Sequence, residues 1–129
     1  MEMPEVDAYG LLTEGFREVS RILDESNSTL AVDPILAELA GFAEQHPESD
    51  GLRLAMMRLL DSRAVSASAE AVQYFAHKFR WGWLEAEVRS RYLESVTKLD
   101  RRMIRHYERM LESFRDDWED RDLFPSLGN

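Results

Sequence analysis

The chain has 129 residues, 44% of them hydrophobic and 32% charged, with a formal net charge of −9. That balance lies far from the corner of low hydrophobicity and high charge where chains stay disordered, and a domain of this length buries roughly 65–70% of its extended surface, so a self-sufficient core is expected. The absence of cysteine excludes disulfide frameworks, thiolate zinc sites, iron–sulfur clusters and cysteine nucleophiles together.

The opening Met1-Glu2-Met3-Pro4-Glu5 has neither the basic nor the apolar part of a secretory signal. No stretch approaches ~18 consecutive apolar residues, and the expectation is a cytoplasmic protein with no membrane association. Of the 16 basic residues only Lys78 and Lys98 are lysines, a bias that suggests a GC-rich bacterial source.

Helical periodicity runs through nearly every window, and alternating β-branched runs are absent, so the spacing predicts an all-α, single-domain bundle of about six helices over residues 1–129. In the first helix Tyr9, Leu12, Phe16, Val19 and Leu23 share one face, and Glu25 to Thr29 end it. Gly10 and Gly15 weaken it by roughly 1 kcal/mol each relative to alanine. Asp33-Pro34 reads as an N-cap followed by a first-turn proline, which starts a second helix that runs to about His46. Ser49 or Asp50 caps a third helix with Leu52, Ala55, Met56, Leu59 and Leu60 inward. Ser66 or Ser68 caps a fourth, with Val72, Phe75, Ala76 and Phe79 inward.

The turn Arg80-Trp81-Gly82-Trp83 leads to a fifth helix, where Leu84, Val88 and Tyr92 share a face and Glu85–Arg89 and Glu87–Arg91 form i,i+4 pairs. The last helix is predicted from about Lys98 to Glu119, because Leu99, Met103, Tyr107, Met110, Phe114 and Trp118 follow near-heptad spacing. Leu36, Leu39, Ala40 and Ala43 align with Val72, Phe75, Ala76 and Phe79 at a 36-residue offset, near the period of tetratricopeptide or HEAT helix pairs. Alanine and leucine at helical spacing also align by chance, and an irregular bundle is the leading reading.

Charge is unevenly placed. Residues 1–62 hold 4 basic and 13 acidic side chains, residues 63–109 hold 10 and 6, and residues 110–129 hold 2 and 6. On a continuous last helix Lys98, Arg102, Arg105 and Arg109 fall in roughly a 60° sector opposite the apolar face, which is either a docking stripe or a solvated face. The acidic run Asp116, Asp117, Glu119, Asp120 and Asp122 around Trp118 opposes the helix dipole at a C-terminus; it reads as a partner site or as a solvated helix end. Lacking the glycine and glutamate of a calcium loop, it is not an EF-hand.

Catalytic constellations are sparse. His46, His77 and His106 form no ligand pair; no HExxH, Glu-x-x-His repeat, G-x-S-x-G, Walker A loop or dinucleotide fingerprint is present, and no cofactor or metal is expected. His77 and His106 are expected at the surface or its boundary. The densest feature is Tyr74 to Trp83, with five aromatics beside cations; Arg80, Trp81 and Trp83 there suit a protein hot spot or base stacking, or else a structural hinge. The expected function is a non-catalytic protein-binding module, an adaptor or an acidic protein of the immunity or antitoxin kind that blocks a basic partner. Three alternatives stand beside it: a nucleic-acid-associated regulator using the basic stripe, which the net charge disfavours; a homo-oligomer formed through residual apolar face on the last helix; and a small enzyme with a carboxylate–histidine cleft.

Overall fold

The computed structural model describes residues 7–62 and 65–127. Among the described residues there are six α-helices and no strand: α1 (Ala8–Ser26), α2 (Thr29–Gln45), α3 (Asp50–Asp61), α4 (Val65–Phe79), α5 (Gly82–Thr97) and α6 (Arg101–Glu112). Two short 3₁₀ turns, Glu119–Leu123 and Pro125–Leu127, follow. No described helix is long and apolar enough to cross a membrane.

α1 begins where the Asp7 carboxylate accepts the Gly10 N–H at 2.9 Å, and it ends at Asn27, whose left-handed φ of 54° turns its N–H onto the Leu23 carbonyl. Its stripe of Leu12, Phe16, Val19 and Leu23 is buried, and α1 packs on α2, α3 and α4. Helix-pair solenoids join each pair only to its neighbours, so this central position of α1 is that of a bundle. Two glycines allow the close approaches. A Cβ on Gly15 would overlap the methyls of Leu39 in α2, and a Cβ on Gly51 would lie 2.8 Å from the backbone nitrogen of Tyr9. α3 is capped by Ser49, whose Oγ accepts the Leu52 N–H at 3.3 Å. The core unites Phe16, Leu36, Leu52, Met56, Leu60, Phe75, Leu84 and Met110, each contributing about 1.5–3 kcal/mol by leaving water.

Three boundaries differ from the expectation. α2 starts at Thr29, so Asp33 and Pro34 lie in its second turn. Asp33 is buried, and its carboxylate is taken by the segment after α6: it accepts the Ser126 hydroxyl at 2.7 Å and the Ser126 N–H at 3.2 Å. A tertiary partner has replaced the local cap. Ser66 and Ser68 lie within α4, which already begins at Val65, and not at its start; Ser68 is buried and lines the cleft beside α1 and α3.

The last predicted helix is divided. Leu99 adopts a left-handed φ of 55°, and Asp100 restarts the chain as a cap, its Oδ1 accepting the Met103 N–H at 3.4 Å. α6 then ends at Glu112, with Phe114 and Trp118 beyond it. Those rings still go inward, because residues 114–127 cross back as a strap over α2 and α4. Trp118 is buried, stacked on Phe124 with centroids 5.8 Å apart, and Phe124 meets Tyr74 edge to face at 5.5 Å. The Ser126 hydroxyl lies 2.6 Å from the Tyr74 hydroxyl, which completes the latch with Asp33.

Candidate functional site

The aromatic turn is held by Arg80, whose φ of 52° bends the chain between α4 and α5. Phe79 and Trp81 stack in parallel at 4.4 Å, and Trp81 and Trp83 stack at 5.4 Å. Phe75 meets Trp81 edge to face at 6.2 Å, and the Arg53 guanidinium lies 4.9 Å from the centre of the Trp83 ring. Both tryptophans are half-buried, so the column ties the α4–α5 turn to the core. Arg80 is ion-paired with Asp116, and that bond holds the Asp116 carboxyl below the usual carboxylate range. Two residues picked out from separate patches therefore neutralise one another.

The basic stripe is broken with the helix that was to carry it. Lys98 ends α5 and binds Glu94 at 2.7 Å. Arg109 lies 3.6 Å from Glu70, whose carboxyl burial pushes up despite that cation. Arg102 and Arg105 stay exposed on α6 and, with Arg101, make no ion pair among the described residues. In the acidic run Asp117 pairs with Arg115 at 3.2 Å. Trp118 is a core residue and not part of a surface patch, because the strap folds it inward.

His106 lies in the core and not at the surface or its boundary. It is 3% exposed, deep in α6, and neither ring nitrogen has a hydrogen-bond partner among the described residues. Burial, with Arg109 and Arg102 adding to it, holds its pKa below the ordinary value, so the imidazole is neutral at pH 7. His77 lies with Nδ1 3.0 Å from the Ser113 carbonyl, and His46 caps α2 with its ring on Phe42 at 4.6 Å. Among the described residues no three His, Asp or Glu side chains converge as a metal site.

Sequence reasoning missed the outer face of α5. At 100° per residue Ala86, Leu93 and Val96 occupy roughly an 80° sector opposite Leu84 and Val88, the residues that α5 buries. Leu93 is 57% exposed and Val96 40%; beyond them Leu99, at the elbow to α6, is 80% exposed. The signal was present in the sequence as a helix apolar on two opposite sides. Isolated exposed leucines need no explanation, whereas this one also holds a backbone conformation that costs a residue with a Cβ about 1 kcal/mol. Next to this ridge stand Arg101, Arg102 and Arg105.

No protein-family model matches the chain, and no curated protein or solved structure matches it either.

Proposed function

We propose that the protein is a non-catalytic binding module whose docking surface is the α5 ridge and the α5–α6 elbow. The observation that supports it is Leu99, an exposed leucine in a left-handed conformation, aligned with Leu93 and Val96. The left-handed turn closes α5 by placing the Asp100 N–H on the Ser95 carbonyl at 3.0 Å, a role glycine fills at lower cost; folding buries little of the leucine side chain, whereas a partner that covered the three side chains would recover their transfer free energy. Arg101, Arg102 and Arg105 beside the ridge, which make no ion pair among the described residues, select the partner's chemistry: an apolar groove rimmed by carboxylates. Against a nucleic-acid backbone the formal charge of −9 repels at long range, and half of the basic stripe is already committed to Glu94 and Glu70. This protein-binding reading retains the expected class and changes the surface, from the aromatic turn and acidic run to the elbow.

Site-specific photo-crosslinking in extracts of the source organism tests it. A crosslinker at Val96 is expected to give one stoichiometric protein adduct that a control at Asp24 on α1 does not give, and rising salt should weaken it. Leu93→Glu, at an exposed position, should abolish the adduct with the helical circular dichroism unchanged. Equal adducts from both positions, or none, overturn the proposal, and an adduct of twice the chain's mass replaces it with self-association.

A further inference from the structure

We propose that the cleft between α1, α3 and the beginning of α4 binds a small carboxylate carrying an apolar body. It is a space of about 260 Å³ with a floor of Phe16, Ala55 and Leu59, all buried, and Arg17 and Arg58 among its walls. Among the described residues the remaining lining is hydroxyl-bearing and includes no carboxylate. That is the opposite of what the local composition supplies, since acids outnumber bases 13 to 4 over residues 1–62.

The two arginines differ in a way that suits a ligand. Arg58 makes no ion pair among the described residues; its guanidinium donates to the Tyr9 hydroxyl at 2.7 Å, a contact that fixes its direction and is not an ion pair. Among the described residues Arg17 is held only by Glu14 at 3.3 Å, in a solvent-exposed i,i+3 pair of the kind whose net worth is small. It can exchange that partner for a ligand at little cost. A planar carboxylate matches the guanidinium fork. The Thr13 hydroxyl donates to the Tyr9 carbonyl at 2.8 Å, so it is an acceptor toward the cleft and adds no anion affinity. The arginines therefore carry the recognition of charge, and the apolar floor carries the rest. Ordinary ligand sites start at about 300 Å³, so the occupant is small, of the size of an aromatic or short-chain acid.

The cleft shares no residue with the α5 ridge, and the inference stands apart from the binding-module reading. The test is a titration of isotope-labelled protein, followed by nuclear magnetic resonance, with three probes: 4-phenylbutyrate, its neutral amide and inorganic phosphate. Saturable shifts centred on Phe16, Ala55 and Leu59 are expected with 4-phenylbutyrate, with affinity about tenfold weaker for the amide and for Arg58→Gln. Arg58 is exposed, so Arg58→Gln leaves the core intact, and an unchanged spectrum away from the cleft verifies that. No saturable shift up to about 10 mM overturns the proposal, as do equal affinities for acid and amide. Phosphate binding as tightly as 4-phenylbutyrate also overturns it, because the apolar floor would then play no part.

Discussion

Replacing His106 with leucine should make the protein more stable, against the usual direction for a buried substitution. A neutral imidazole buries one N–H donor and one acceptor nitrogen, and neither has a partner among the described residues. Each such group costs about 1–3 kcal/mol. Leucine removes both at similar volume, with a packing mismatch under about 1.5 kcal/mol, so a net gain of about 2 kcal/mol is expected near pH 7.5. For a chain of 129 residues, that corresponds to a rise in Tm of roughly 6–10 °C. The effect should also depend on pH. The folded pKa of His106 lies below its reference of 6.5, so under acid the unfolded chain binds the proton first, and stability is lost as pH falls below that reference. Glu70 has the opposite sign: its raised folded pKa lets the folded state take up a proton before the unfolded one, which favours folding under acid. The difference between wild type and His106→Leu isolates the histidine, and it should widen from pH 7.5 to pH 5.5 in thermal unfolding followed by circular dichroism. A variant less stable than wild type at both pH values, or a gap that does not change with pH, refutes the reasoning.

Asp33→Ala removes the acceptor of both Ser126 donors and should lower stability by about 2–3 kcal/mol in urea, with earlier proteolytic cleavage after Glu112; Asp33→Asn should recover part of the loss. Gly15→Ala gains about 1 kcal/mol of helix propensity yet forces Leu39 from its seat, and a net loss of about 1–2 kcal/mol is expected in the same assay. Leu99→Gly should be about 1 kcal/mol more stable than Leu99→Ala, because only glycine relieves the left-handed backbone. Both should weaken the adduct formed from Val96.

The helices that depend on local signals were legible. α1 carries its apolar stripe, and α3 its cap and stripe, within a few residues, and Leu12, Phe16, Val19, Leu23 and the Ser49 cap stand where the spacing puts them, whereas the Asp7 cap of α1 was not read. α2 misled because Asp33-Pro34 has the local form of a helix start, while the group that claims the carboxylate lies 93 residues further on. The last helix misled for a related reason: Phe114 and Trp118 keep the apolar spacing, but a strap that folds back buries rings as well as a helix does. The break at Leu99 then removed Lys98 from the stripe. The candidate surfaces were the least legible part. Whether an arginine is paired depends on which helix lies beside it, as Arg80 with Asp116 and Arg109 with Glu70 show, and a cleft assembled from α1, α3 and α4 has no signature in any one segment.

The latch on Asp33 bears on the order of assembly. α1 to α4 precede the strap during synthesis, and their mutual contacts close comparatively short loops. Ser126 meets its acceptor only after a loop of more than ninety residues has formed, so the rings of Tyr74 and the aspartate stay wet in the nascent chain until that final stretch arrives. Folding should show a late phase in which tryptophan emission from residue 118 changes after the helical signal is complete, and a ribosome-tethered chain halted within α6 should hold its helices but lack the lid over α2 and α4.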